Sequence, residues 1–256
     1  MVVFAVLGRL DSILLNIKRY INTPKDSFFM KRISSKIFFL SLMMIMLLIK
    51  LFDLIFNPNK IFPGRIASFP FIELVMVGIL GVLGLLMYKR LGFPDFETVL
   101  GRPILLTVSL GLLFSLFLAL IDSFAVIGNL SVGYPLSILF YTWGAISTEI
   151  ILKLFLITFL VWLISIVVFR RKYQEPVFWI CAVLASFLVT FGMLGVISNL
   201  ETPVAPFFLF LIGLIVFSSE IVSFKLFKEL GFLSSLIFRF SFYLIWHILW
   251  PLVFYG

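Results

Sequence analysis

The chain has 256 residues, of which 62% are hydrophobic and only 12% are charged, and its formal net charge is +8. This hydrophobic fraction is far above that of globular domains, so the composition excludes a soluble protein and predicts an integral membrane protein. The Lys and Arg residues lie mainly between apolar runs, where they orient a membrane protein, so we expect no nucleic-acid partner.

Residues 1–36 form a predicted basic segment at the cytoplasmic face. Its first part, to about Asn22, places apolar residues such as Ile13 and Ile17 at helical spacing beside cations such as Lys18. This pattern is typical of an amphipathic helix that lies in the membrane interface. No charge-free run in this part is long enough to span the bilayer.

Residues 37–256 are predicted to form one transmembrane helical domain. Its apolar runs have the length of ~20 residues that a membrane-spanning helix needs, and they lack the alternation of a transmembrane β-barrel. We therefore predict an all-α polytopic bundle of about seven spans. The approximate spans are 37–56, 71–88, 103–121, 134–169, 176–198, 204–224 and 232–256.

The fourth span, 134–169, is longer than a bilayer requires. As one straight α-helix it would be ~54 Å long. We expect it to tilt, to project beyond the bilayer or to break, and the sequence leaves open whether it is one helix or two.

The cations of the short loops predict the orientation, because such loops resist translocation when they are positively charged. Most of them fall on one side together with the basic N-terminal segment, whereas Lys60 and Arg65 fall on the other. This predicts a multi-pass protein of the cell membrane with a cytoplasmic N-terminus and an external C-terminus. The cations of the first side are Lys89, Arg90, Arg102, Arg170, Arg171, Lys172, Lys225 and Lys228.

Metal and cofactor chemistry finds little support in the sequence. The chain has one cysteine, Cys181, and one histidine, His247, whereas a catalytic zinc site usually needs about three protein ligands. The sequence also lacks a phosphate-binding Gly-rich loop and a dinucleotide-binding signature. We therefore predict no metal site and no cofactor.

A few polar side chains at membrane depth are the candidate functional residues, because each must find a partner in the bundle or a hydrated cavity. Glu149 and Lys153 are spaced i, i+4, so they share a helix face and form either an ion pair or part of a site. Lys50 and Asp53 can also pair, and we expect them to extend towards the headgroups. The candidates are Thr148, Glu149, Lys153, Glu220, Arg239 and His247.

Different roles are predicted for the candidates in the last two spans. Glu220 and Arg239 lie nearer the cytoplasmic ends of their helices, and we expect them to form a structural pair. His247 lies between Trp246 and Trp250, a pattern typical of an aromatic belt at the outer interface with a packed histidine.

Part of the chain resembles a known family of intramembrane proteases. The segment from Thr148 to Leu156, TEIILKLFL, resembles the Glu-Glu-x-x-x-Arg motif of the CAAX prenyl endopeptidase and bacteriocin-processing family, also called Abi. The segment FGMLG, 191–195, stands where that family has Phe-x-x-x-His, and KELGFL, 228–233, is similar to its charged turn. Ser219 and Ser223 have the spacing that lets helices approach closely. The resemblance covers about 134–251, a protease-like core.

The resemblance implies the fold of these proteases, but the motif residues depart from the catalytic pattern. Thr148 replaces the first glutamate, Glu149 is retained, and Lys153 replaces the arginine. Gly195 replaces the first histidine, and the last motif's histidine falls near Phe240, beside Arg239. Since general-base and charge-stabilising groups are lost together, we predict a non-catalytic protein. Its expected partners are the lipid bilayer and an apolar or prenylated peptide or another membrane protein.

Two other functions stay open from the sequence. One is an active intramembrane endopeptidase with a rearranged site, in which Glu149 acts with His247 or Arg239. It requires His247 to reach Glu149 directly or through one water molecule. The other is a transport or scaffold subunit of a membrane complex, whose intramembrane charges line a path or an assembly interface.

Overall fold

The computed structural model describes residues 35–56, 70–94, 102–125, 134–199 and 204–254. Within these ranges it contains seven helices that are long and apolar enough to cross a membrane, and no strand. The prediction of an all-α bundle with seven spans is confirmed. The predicted interfacial helix lies outside the described residues, as do the connecting segments 57–69, 95–101, 126–133 and 200–203.

The helices begin and end close to the predicted positions, with one exception. We expected the sixth span to end near Phe224, but its helix continues to Leu230 and buries Lys225 inside the bundle. It ends at Gly231, whose φ of 93° is open mainly to glycine, and the next helix begins at once. The helices are α1 Ser35–Phe56, α2 Pro70–Leu91, α3 Arg102–Ala125, α4 Leu136–Val168, α5 Gln174–Ser198, α6 Pro206–Leu230 and α7, which begins at Phe232 and ends at Phe254.

Helix α4 is continuous over its 33 residues and is not split into two helices. Two of its segments, Glu149–Ile157 and Trp162–Val168, have π-helical hydrogen bonding. The hydroxyl of Thr158 donates to the Leu154 carbonyl oxygen, and that of Ser165 donates to the Val161 carbonyl oxygen at 2.5 Å. Such side-chain bonds compete with the backbone ladder, and π-segments are frequent at functional sites.

Helix α2 lies directly against the first π-segment of α4. A Cβ atom added at Gly84 would overlap the carbonyl group of Leu154, so the two backbones touch at this point. One turn earlier, a Cβ atom at Gly81 would overlap the ring of Phe39 from α1. Small residues of this kind let transmembrane helices approach closely. They fix the height of the π-segment relative to α2.

Helix α3 packs against α7 along a stripe of small residues. Gly111 faces the backbone at Phe238, and Ser115 donates to the carbonyl oxygen of Phe242 while accepting the amide N–H of Trp246 at 2.8 Å. In an α-helix these two backbone groups would bond to each other. The Ser115 hydroxyl takes that place, and α7 is π-helical over Leu244–Leu249.

Hydrogen bonds join the helix ends on the side where α2 and α6 finish. The Tyr88 hydroxyl donates to the Pro94 carbonyl oxygen at 2.6 Å and accepts the Phe232 amide N–H at 3.2 Å. This satisfies one of the amide groups that a helix N-terminus leaves unpaired. On the same side, Nε2 of Gln174 donates to the Leu91 carbonyl oxygen at 2.9 Å.

The side chain of Lys50 turns into the bundle. It is 2% exposed, and its Nζ lies 4.5 Å from the ring centroid of Trp143 in α4. Nε1 of that tryptophan donates to Oε1 of Glu73 in α2 at 2.9 Å. The expectation that Lys50 extends towards the headgroups is therefore wrong, because the aromatic ring and nearby acids hold the ammonium group inside.

Candidate functional site

Four charged side chains from three helices meet inside the bundle. Glu149 and Lys153 belong to α4, Glu220 to α6 and Arg239 to α7, and their exposed fractions are 0%, 0%, 2% and 6%. We refer to these four residues as the charge cluster. With both carboxylates and both basic groups ionised, its charges cancel, as burial of ions requires if its cost is to be offset.

Arg239 is the residue that joins the two carboxylates. Its Nη1 and Nη2 donate to Oε1 and Oε2 of Glu220 at 2.5 and 2.9 Å. Its Nε donates to Oε1 of Glu149 at 2.9 Å. A planar guanidinium suits this paired geometry, and charge-assisted bonds of this kind are the strong ones. The predicted pairing of Glu220 with Arg239 is present, and it extends to Glu149.

Lys153 holds the other side of Glu149. Its Nζ donates to Oε1 of Glu149 at 2.8 Å and to the hydroxyl of Ser223 in α6. The same Nζ lies 5.1 Å from the ring centroid of Phe224. Lys153 therefore forms the predicted i, i+4 pair and also ties α4 to α6.

The local sequence of α4 sets this arrangement. Glu149 begins the first π-segment and Lys153 lies within it, so both side chains stay on the buried face. Leu154 and Ile157 of the same segment are completely buried and pack into the apolar core around it. The apolar neighbours exclude water, which makes the hydrogen bonds inside the cluster stronger and any unpaired charge more costly.

The two carboxylate oxygens of Glu149 differ in the number of hydrogen bonds that they accept. Oε1 accepts from both Lys153 and Arg239, whereas Oε2 accepts no hydrogen bond from the described residues. The buried hydroxyl of Ser235 lies next to this carboxylate but donates to the Phe232 carbonyl oxygen at 2.9 Å. Oε2 is thus the atom of the charge cluster that could accept a further donor, such as water or a ligand N–H.

His247 lies in an aromatic group of its own. Its ring stacks on that of Tyr141 with the centroids 4.2 Å apart and the planes at 17°. The rings of Trp246 and Tyr243 are 4.3 and 5.1 Å away. No hydrogen bond joins His247 to Glu149 among the described residues, and along α7 it lies ~12 Å beyond Arg239. The structure therefore places His247 in a packing role and does not bring it to the charge cluster.

The remaining motif positions contribute no hydrogen bond to the charge cluster within the described part of the chain. Thr148 is half-buried, and no hydrogen bond of its side chain to the four charged residues is among those of the described part of the chain. Gly195 is exposed on α5, with no atom within 4 Å of the place a Cβ would take. Phe191 is 67% exposed. At Phe191 and Gly195, α5 therefore faces away from the interior of the bundle.

The described residues contain no group of three His, Cys, Asp or Glu side chains that could hold a metal ion. Cys181 is buried in the core beside Phe178 and Ala182.

Sequence reasoning missed two features of the site. It paired Arg239 with Glu220 and placed Arg239 beside Glu149 only for a rearranged catalytic site, so it did not foresee that one guanidinium bonds to both carboxylates. It also assigned Ser223 to helix packing, whereas the hydroxyl accepts from Lys153. The available signal was the placement of a serine one turn from Glu220 on α6, which puts both on one face.

Comparison of the chain with protein-family models, with curated proteins and with solved structures gave no match.

Proposed function

We propose that this is a non-catalytic, multi-pass protein of the cell membrane whose protease-like core, 134–251, binds an apolar or lipid-modified peptide or another membrane protein. The seven apolar helices support a location in the bilayer. The ligand class follows from the resemblance to CAAX-type proteases, whose substrates carry a lipid. The cytoplasmic N-terminus and external C-terminus follow from the distribution of cations.

The observation that carries this proposal is the binding of Glu149 by two cations. A general base needs a water molecule within hydrogen-bond reach and a basicity suited to proton abstraction. In this protein Oε1 of Glu149 is bound by Lys153 and Arg239, and both oxygens of Glu220 are bound by Arg239. These bonds leave neither oxygen of Glu220 free and engage Oε1 of Glu149 with two cations, which makes both acids poor partners for water activation.

The other motif positions point the same way. Gly195 cannot supply an imidazole, and its position on α5 faces outwards. Near the last motif position the charge cluster contains Arg239, whose guanidinium remains protonated and therefore cannot act as a base. A helical bundle whose buried acids are already bound by Lys153 and Arg239 fits a binding protein better than a hydrolase.

The test uses the purified full chain in lipid nanodiscs with a panel of prenylated and unmodified apolar peptides. We expect saturable binding of at least one peptide and no cleavage, measured by fluorescence anisotropy and by mass spectrometry of the peptides. Glu149→Gln is compared with Glu175→Gln, since Glu175 also pairs with a lysine, Lys228, but stands outside the charge cluster. Absence of binding across the panel would contradict the peptide-binding proposal.

A second candidate function is an intramembrane endopeptidase with a rearranged site. Oε2 of Glu149 favours it, because this buried oxygen accepts no hydrogen bond from the described residues and could hold a water molecule. Cleavage by the wild type that is lost in Glu149→Gln and kept in Glu175→Gln would establish this function in place of the first. Unfolding temperatures of both variants show whether a loss reflects chemistry or folding.

A further inference from the structure

An exposed basic surface lies at the end of the bundle where α2 and α4 finish. It consists of Lys89 and Arg90, the last cations of α2, and of Arg170, Arg171 and Lys172 in the turn between α4 and α5. All five side chains are exposed. We refer to these five residues as the basic surface.

One hydrogen bond brings the two separate parts of the basic surface together. Nε2 of Gln174, at the start of α5, donates to the carbonyl oxygen of Leu91 at 2.9 Å. Leu91 directly follows Arg90, and Gln174 closely follows Lys172. The five cations therefore share one face although about 80 residues separate the two helix ends in sequence.

The turn between α4 and α5 has an unusual backbone. Arg170, Arg171 and Tyr173 have φ angles of 49°, 68° and 60°, in the left-handed region that residues other than glycine rarely adopt. The turn is held by the amide N–H of Arg171, which donates to the Ser165 carbonyl oxygen at 2.7 Å, and by the amide N–H of Lys172, which donates to the Phe169 carbonyl oxygen at 3.0 Å. Adjacent cations are thus kept in a short, fixed turn despite mutual repulsion and backbone strain, an arrangement typical of functional sites.

Aromatic side chains place this turn at the depth of the lipid headgroups. Phe169 and Tyr173 flank the three cations, are 44% and 62% exposed, and contact each other edge to face with the ring centroids 5.6 Å apart. Exposed aromatic residues beside the end of a spanning helix are typical of the membrane interface. The nearest acidic residue in the sequence, Glu175, is already bound by Lys228 and by Nε1 of Trp179.

From this geometry we propose that the basic surface binds the phosphate groups of anionic phospholipids in the adjoining leaflet. The cations stand at headgroup level beside the apolar helix ends, where a lipid can place its phosphate on Arg170 and Arg171 and its acyl chains along α4. Guanidinium groups bind phosphate oxygens in paired geometry, and juxtamembrane cations attract anionic headgroups. This interaction surface is separate from the charge cluster.

The test measures lipid retention by the purified full chain in mild detergent, using native mass spectrometry after addition of phosphatidylglycerol or phosphatidylcholine. We expect the wild type to retain phosphatidylglycerol preferentially. Arg170→Gln/Arg171→Gln should reduce that preference about tenfold or more, because each cation lost near the membrane surface weakens the attraction for anionic headgroups. A rise in salt from ~0.15 to ~1 M should weaken retention in the wild type, because it shortens the screening length.

The matched control is Lys60→Gln/Arg65→Gln, which removes the same charge from the predicted opposite side. A second variant, Arg170→Lys/Arg171→Lys, keeps the charge in the turn and should retain most of the preference. Equal losses in both glutamine variants, or no preference for phosphatidylglycerol in the wild type, would overturn the proposal. Displacement of the lipid by inorganic phosphate at the same phosphate concentration would also overturn it, since the surface would then recognise free phosphate.

Discussion

At the scale of single residues, the charge cluster depends on Arg239. This side chain bonds to Glu149 and Glu220 at once, and its loss would leave two buried carboxylates with Lys153 as the remaining cation. Removing one partner of a buried ion pair is strongly destabilising, whereas replacing both partners with apolar residues is often neutral. The charge cluster therefore affects stability mainly through the balance between its two carboxylates and its two basic groups.

We predict that Arg239→Leu lowers the free energy of unfolding by about 3–5 kcal/mol, because it leaves an uncompensated buried carboxylate. Arg239→Leu/Glu220→Leu restores equal numbers of acids and bases, so it should be more stable than the single variant. Reversible unfolding in mixed micelles, followed by circular dichroism, gives the free energy of unfolding of the wild type and of both variants. A double variant that is less stable than Arg239→Leu would show that pairing geometry outweighs charge balance.

At the scale of helices, close contacts with neighbouring helices explain where two of the three described π-segments lie. Gly84 lets α2 touch the backbone of α4 at Leu154, inside the segment that carries Glu149 and Lys153. In the same way, the Ser115 hydroxyl from α3 stands between backbone groups of α7 just where that helix is π-helical. Both of these segments, Glu149–Ile157 and Leu244–Leu249, thus face a small or hydroxyl-bearing residue of a neighbouring helix.

We predict that Gly84→Ala destabilises the bundle by about 1–3 kcal/mol or more, because the new methyl group would overlap the Leu154 carbonyl group. Gly144→Ala is the matched control: no atom lies within 4 Å of its added Cβ. Since alanine is the better helix former, the control should be unchanged or about 0.5–1 kcal/mol more stable. Unfolding temperatures in the same lipid mixture compare the two. Equal destabilisation by both changes would show that overlap between the new methyl group and Leu154 is not the cause of the lost stability.

The sequence predicts the helices well and their contacts poorly, for physical reasons. Bilayer thickness fixes the length of an apolar run, so the spans could be read from hydropathy alone. The cation Lys225 predicts a polar connection after Phe224, but tertiary packing buries this side chain and α6 continues to Leu230. The bond from Arg239 to Glu149 depends on which helices become neighbours, and one sequence contains no signal for that. The i, i+4 pair of Glu149 and Lys153 was foreseen because helical geometry alone determines it.

At the scale of the whole molecule, an odd number of described spans implies that the start of α1 and the end of α7 lie on opposite sides of the membrane. The described helices number seven. The basic surface and Lys228 lie at the ends of α2, α4 and α6, which is the same side in such a bundle. The continuity of α4 matters here, since a break into two spans would have reversed every later helix.

We predict that a reporter at the N-terminus is cytoplasmic and one at the C-terminus external, since the cation-rich helix ends resist translocation. Green fluorescent protein, which fluoresces only when it folds in the cytoplasm, should therefore report at the N-terminus. Alkaline phosphatase, which is active only outside, should report at the C-terminus. Phosphatase fused after Lys172 should be inactive, and phosphatase fused after Asn199 should be active, because α5 lies between these positions. Activity after Lys172 would place the basic surface outside and exclude the orientation proposed for this protein, together with a cytoplasmic leaflet as the source of its lipid.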